Sequence, residues 1–182
     1  RERIMRDLHD DVGARLLSLI HGTHNAHVRE EATDLLQTLR TSVIPLHYRE
    51  TTSLTDAANK WRGELEQRTA RAGVDLQWQD TTPAAIRLNA RQYVNLTRIL
   101  RELLTNAITH AAPGTVWITI NASTGLTITF AHDGNFSDPD QWAWGRGRHN
   151  LAIRAEEIKG ELHFQTRGNP AERLEAVLMV SL

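Results

Sequence analysis

With 182 residues, of which 40% are hydrophobic and 24% charged, the chain can bury a core and has length for one ordinary domain, or a small one with a helical appendage. Its 21 basic and 22 acidic side chains leave a net charge of -1, which excludes an overall basic field for nucleic acid or for an anionic membrane. The chain has no cysteine, which excludes disulfides and thiol chemistry, and no apolar run reaches the ~20 residues that a bilayer-crossing helix needs.

The sequence opens at Arg1 inside a helical pattern and without a signal peptide. It is expected to be a cytoplasmic fragment that makes no membrane contact itself, cut from a longer parent in which any membrane anchor would lie elsewhere. Ile4, Leu8, Val12, Leu16 and Leu19 form a stripe of helical period, with His9 on its flank beside Asp10 and Asp11. Gly22, Thr23 and Asn25 interrupt the pattern. It restarts at Ala32, Leu36, Leu39, Val43 and Leu46, a heptad seam that asks for a partner helix, and Pro45 should end or kink it. Two helices this short cannot bury both stripes alone, so residues 1–50 are expected to pair with a second copy as a four-helix bundle, making the chain a homodimer.

A second unit is expected over residues 54–182. A helix from about Leu54 to Ala72 stops at Gly73, and Val74, Leu76 and Trp78 alternate as a strand. Asn89 with Gln92 reads as a capping box that opens a long helix to about Ala111, ended by Pro113-Gly114. Val116, Ile118 and Ile120, then Leu126, Ile128 and Phe130, alternate on either side of Ser123-Thr124-Gly125 as an antiparallel hairpin. Residues 133–146 lack periodicity and read as a long loop of the kind that closes over ligands. Gly145-Arg146-Gly147 leads into a helix to about Lys159, and two strands, Glu161 to Thr166 and about Leu174 to Leu182, complete the unit. Helices on one face of a mostly antiparallel sheet give an α+β two-layer sandwich.

Within the long helix, Glu102, Asn106 and His110 fall at i, i+4 and i+8 on one face, while Leu96, Ile99, Leu100, Leu103, Leu104 and Ala107 cover much of the rest. A buried polar stripe must find partners, each orphaned group costing roughly 1–3 kcal/mol. A metal-bound phosphate would supply them, Asn106 offering an amide oxygen to Mg²⁺ and Glu102 orienting a water or ligand. Alternatively the stripe faces water, and the helix alone does not choose. Gly145 and Gly147 before a helix offer bare amides to an anion, a weak signal taken singly. His21, His24 and His27 lie around the hairpin turn and read as a solvated turn rather than a metal site.

Three motifs now stand in order: Arg3-x-x-x-Arg6-Asp7-Leu8-His9-Asp10; Glu102-x-x-x-Asn106-x-x-x-His110-Ala111; and Gly145-Arg146-Gly147-x-x-Asn150-x-x-x-Arg154 with Gly160 beyond. Together they resemble the catalytic core of a two-component sensor histidine kinase, of the subfamily of nitrate sensors and DesK-type thermosensors. The resemblance implies a phosphoacceptor hairpin followed by an ATP-binding domain of GHKL (Bergerat) type, using ATP and Mg²⁺. It implies that His9 is the phosphorylated nucleophile with Asp10 holding its ring, and that Glu102, Asn106, His110, Gly145 and Gly147 serve the nucleotide. The phosphoryl group would pass to an aspartate in the receiver domain of a response regulator.

The sequence departs from the subfamily pattern at three places. Ala14 stands where a glutamine positions water for dephosphorylating the regulator. The family's Gly-Thr before the last strand is Leu174-Glu175. The first glycine box, Asp-x-Gly-x-Gly, becomes His132-Asp133-Gly134-Asn135-Phe136. Aligned on Gly134, the adenine-binding position is His132; aligned on the acid it is Asp133. The reading adopted from sequence is Asp133 for the adenine contact, beside Gly134.

Overall fold

A computed structural model describes residues 51–83, 85–123, 125–139, 146–168 and 172–181, together with isolated positions between 12 and 32. The chain divides into two compact units, Arg1–Thr51 and Thr52–Leu182. In the first, Val12, Arg15, Leu16, Ser18, Ile20 and Gly22 are helical, Thr23 is not, and Val28 and Ala32 are helical again. The break thus falls where the apolar stripe is interrupted in the sequence. His9, Asp10, Ala14, His21, His24, His27 and the heptad seam beyond Ala32 lie outside the described residues, as does the expected four-helix bundle.

The second unit carries the sheet. After strand β1 (Thr52–Ser53), helix α1 spans Leu54–Ala72. The Ser53 hydroxyl caps it by accepting from the Asp56 N–H at 3.0 Å, and Gly73 ends it with φ 70°, the left-handed conformation that glycine adopts without penalty. Strands β2 (Asp75–Thr81) and β3 (Arg87–Leu88) precede helix α2, Ala90–Asn106. Its capping box is formed in both directions: the Asn89 side chain accepts from the Gln92 N–H at 2.9 Å, and the Gln92 side chain accepts from the Asn89 N–H at 3.0 Å.

The long helix does not run to Ala111 in α geometry. It widens into a π-helical turn over Ala107–Ala111, ending on Ala112 in the left-handed region at φ 47°. Strands β4 (Thr115–Ala122) and β5 (Leu126–His132) follow as the expected hairpin. Helix α3 (Arg146–Glu156) is one turn shorter than expected because Glu157 to Lys159 form a turn; strands β6 (Gly160–Arg167) and β7 (Arg173–Val180) close the unit.

The main sheet has five strands in the order β2-β4-β5-β7-β6, and all neighbours are antiparallel except β2 and β4. A small second sheet pairs β1 with β3. The period-two alternation buries Val116, Ile118, Ile120, Leu126, Ile128, Phe130, Ala176, Leu178 and Val180 in one cluster with Leu54, Trp61 and Leu65 of α1, Leu96, Ile99, Leu100 and Leu104 of α2, and Leu151 and Ala155 of α3. The alternate positions Thr119, Asn121, His163 and Met179 are exposed. The unit is therefore an α+β two-layer structure, as the periodicities imply. Trp61 locks α1 to α2 through its Nε1–H, which donates to Thr97 Oγ1 at 2.7 Å, and Arg101 adds a two-pronged bond to Glu64 at 2.6 and 2.7 Å.

Candidate functional site

The C-terminal end of α2, the end of β5 and the start of α3 enclose a cavity of about 550 Å³, within the range of small-ligand sites. Its helical wall carries Leu103, Asn106, Ala107, His110 and Ala111; its sheet floor carries Phe130, His132, Leu174 and Ala176; Asn135, Phe136, Ser137 and Arg148 close the far side. The body of the cavity is apolar, with amide, hydroxyl, imidazole and guanidinium groups at intervals. This is the composition of a site that holds a flat ring and orients it by a few polar contacts.

Asn106 and His110 reach the same wall for a physical reason. Four residues of α-helix advance the face by about 40°, and the wider π turn between them winds less per residue, which brings His110 back toward the line of the helix face. Asn106 is half-buried and His110 exposed. Glu102, half-buried one turn earlier, does not line the cavity. Of the polar stripe read from sequence, two of three members meet at the cavity.

The other end of the site is built by backbone contacts. The Asn135 N–H donates to the Ala111 carbonyl at 2.7 Å, stapling the loop after β5 to the end of the π turn. Gly134 is required at this crossing: a Cβ there would strike the Ala111 carbonyl and lie 2.9 Å from the Pro113 nitrogen. Gly134 is thus a packing residue of the site and not part of its lining.

Asp133 does not enter the cavity. Its carboxylate accepts from the backbone N–H of Gly114 at 2.9 Å and of Thr115 at 2.8 Å, at the start of β4. Partial desolvation works against ionisation, but these amides, with the Thr115 side chain, outweigh it and hold the carboxyl below the usual carboxylate range. Asp133, the residue read from the sequence for the adenine contact, is thus placed beside the start of β4 with its carboxylate held by two backbone amides. His132 occupies the cavity end instead, 5% exposed. Burial lowers its pKa, against a smaller opposing influence from the Asp133 charge, so the imidazole is neutral at pH 7.

Leu174 also turns into the cavity, while Glu175 is directed to the other face of β7, where it meets Gln165 at 3.0 Å and Arg167 at 3.2 Å. Arg148, in the first turn of α3, was not singled out from the sequence; its guanidinium lies 5.9 Å over the Phe164 ring and donates to the Pro139 carbonyl at 3.4 Å. Its position just beyond Gly147 was the available signal. Gly147 lies in the first turn of α3, and Gly145 lies outside the described residues. No cluster of three or more potential metal ligands occurs among the described residues. A helix long and apolar enough to cross a membrane is likewise absent among them.

Residues 92–171, which hold the helical wall and all of the described lining except Leu174 and Ala176, match the family described as Histidine kinase-, DNA gyrase B-, and HSP90-like ATPase. Solved structures similar to the chain include the histidine kinase domain of the EL346 blue-light activated histidine kinase from Erythrobacter litoralis. That pair is 15% identical, covers 95% of this chain and 96% of the other, and has a TM-score of 0.60. The histidine kinase AdeS of Acinetobacter baumannii is 15% identical over 94% of this chain and 93% of its own, with a TM-score of 0.59. Full-length ShkA in complex with AMPPNP is 13% identical over 99% of this chain and 45% of its own, with a TM-score of 0.62. At such identities the likeness is one of fold: the two-layer unit has the architecture of a GHKL ATPase domain, found here in histidine kinase catalytic domains.

Proposed function

We propose that the chain is the catalytic core of an ATP-dependent protein-histidine kinase, in which the second unit binds the nucleotide and His9 of the first accepts the phosphoryl group. The observation that carries the reading is the cavity between the Asn106–His110 wall and the end of β5, inside the segment that matches the ATPase family. ShkA, of like fold, is known in complex with AMPPNP, a triphosphate analogue.

The residues present fit a magnesium nucleotide. The Asn106 amide oxygen is a hard donor suited to Mg²⁺, and His110 and Arg148 supply hydrogen-bond donors for phosphate oxygens at the same cavity. Magnesium, when bound, neutralises charge on the phosphates. The apolar wall of Leu103, Ala107, Phe130 and Leu174 excludes water from the base. Transfer then consists of positioning and charge neutralisation. A neutral ring nitrogen of His9 forms the N–P bond to the γ-phosphorus, the bond from that phosphorus to the bridging oxygen breaks, and ADP leaves with the electron pair. Asp10 holds the other ring N–H, and a homodimer formed through residues 1–50 presents the hairpin. The phosphohistidine passes its group to an aspartate on the receiver domain of a response regulator.

Incubation with γ-labelled ATP and Mg²⁺ tests this. Acid-labile label is expected on the wild-type chain and is expected to vanish in His9→Gln and Asn106→Ala. A folded wild-type chain that stays unlabelled at millimolar ATP refutes the kinase reading. A second reading, a nucleotide-binding signalling module with little turnover, is favoured by one observation: no carboxylate lines the cavity among the described residues. It predicts nucleotide binding without label. Ala14 leads us to infer low phosphatase activity toward the regulator, rising in Ala14→Gln; strong activity in the unmodified chain would refute that role.

A further inference from the structure

His132 closes β5 with its ring edge-on to Phe130 at 6.5 Å and to Phe136 at 6.2 Å, so aromatic contacts on two sides fix its orientation. Its Nδ1 accepts a hydrogen bond from the Gly134 N–H at 3.2 Å. A neutral imidazole carries one proton, so an accepting Nδ1 leaves that proton on Nε2. The lone pair of Nδ1 is then the ring's remaining basic site, and Gly134 already occupies it. A second proton must go where this hydrogen bond is, and it turns an acceptor into a donor that faces a donor. Gly134 is tied from its other side as well. It crosses the Ala111 carbonyl too closely for a side chain, and the next amide, that of Asn135, donates to that carbonyl at 2.7 Å. Asn135, Phe136 and Ser137, which follow directly, line the cavity.

The surroundings of the ring favour its neutral form. Val116 of β4 and Leu174 of β7, its partners in register, are apolar. Leu103 of α2 and Phe164 of β6 line the same cavity, as do His110 of the π turn and Arg148 of α3, whose guanidinium disfavours a further positive charge. Among the described residues the opposing influence is the Asp133 carboxylate, which is held on Gly114 and Thr115. Burial outweighs it and brings the ring's pKa below its ordinary value. Resting on the nucleotide-binding reading above, we propose that His132 is a positioning residue whose unprotonated Nδ1 holds Gly134, and with it the Asn135–Ser137 wall, in the form that binds nucleotide, so that protonation of the ring and nucleotide binding exclude each other. The sign follows from linkage. Affinity is level where the ring is neutral, and below the folded pKa each further pH unit weakens binding by about tenfold, the limit for one proton.

Calorimetric titration of the whole chain with ATP and Mg²⁺ from about pH 8 to about pH 5 tests this, with circular dichroism checking the fold at each pH. The wild-type Kd is expected to be level above about pH 6.5 and to rise toward tenfold per unit at the acid end. Repeating the acid titration in two buffers of different ionisation enthalpy is expected to show about one proton released per nucleotide bound. His132→Asn sets an amide oxygen near the place of Nδ1 and takes up no proton; its affinity at about pH 7.5 is expected to match wild type, without the extra acid rise or the proton. His132→Leu offers Gly134 no acceptor and is expected to bind about tenfold more weakly at neutral pH. Titration of ATP itself and of His110 is common to all three chains, so the differences between them isolate His132. A wild-type Kd that follows that of His132→Asn at every pH overturns the inference and leaves the nucleotide site intact. So does a wild-type chain that releases no proton at the acid end, a result that needs no variant. Failure of ATP to bind the folded chain at about pH 7.5 overturns the nucleotide reading, and this one with it.

Discussion

The two walls of the cavity hold their polar groups by different means. On the α2 side, Asn106 and His110 project from a helix whose bonds and core contacts are complete without them. On the β5 side, His132, Asp133 and Gly134 are structural members: one accepts from the loop backbone, one bridges to the start of β4, and one permits the chain to cross Ala111. A helix wall can thus be spent on a ligand without loss of fold, whereas the strand end has already committed its polar groups.

This contrast predicts a graded set of stabilities, to be measured by urea or guanidinium unfolding. The largest loss is expected for Gly134→Ala, about 2 kcal/mol, because the new methyl meets backbone atoms that cannot swing aside. A loss under 0.5 kcal/mol would break the claim that this crossing is tight. Asp133→Ala is expected to cost about 1 kcal/mol, below the range of buried charged hydrogen bonds because the carboxylate is exposed and screened. Since the folded pKa of Asp133 is depressed, its contribution is complete above about pH 4 and is lost as pH falls; Asp133→Asn should flatten the acid limb of a stability profile.

His132 is smaller in effect and separate in pH. Its folded pKa also lies below the unfolded value, so the unfolded chain binds the extra proton, and stability is complete above about pH 6.5 and declines as pH falls from there. His132→Gln should remove that decline, and an unchanged slope would show that the ring is not buried neutral. Asn106→Ala should be the least costly, within about 0.5 kcal/mol, although it is expected to abolish labelling. A large loss of stability there would erase the distinction between the walls.

What could be read from the sequence follows the same division. Asn89 and Gln92 announced the start of α2 because a capping box is a three-residue interaction, and the alternation of Val116, Ile118 and Ile120 announced β4 because burial on one face has period two. The Asn106–His110 pair was legible from helical spacing. Asp133 was not: its partners lie 19 and 18 residues back in the chain, and nothing local says that two bare amides will be waiting. The strands β1 and β3 span two residues each, too few for a period, and the parallel pairing of β2 with β4 is a tertiary choice. The π turn also escaped notice, since Ala107 to Ala111 carry apolar residues where an α-helix would place them equally well.

The order of the sheet leaves β2 and β6 as its two outer strands. Strands in that situation present unpaired amides and carbonyls to any neighbour, and an apolar one would template further pairing. Here Asp75, Gln77, Gln79 and Asp80 stand exposed on one border and Glu161, His163, Gln165 and Arg167 on the other. A second molecule that tried to extend the ladder would have to lay its own strand beside these hydrated side chains. The borders therefore act as stops against fibre-like growth, and crowding of the protein should not drive strand-by-strand aggregation from either side.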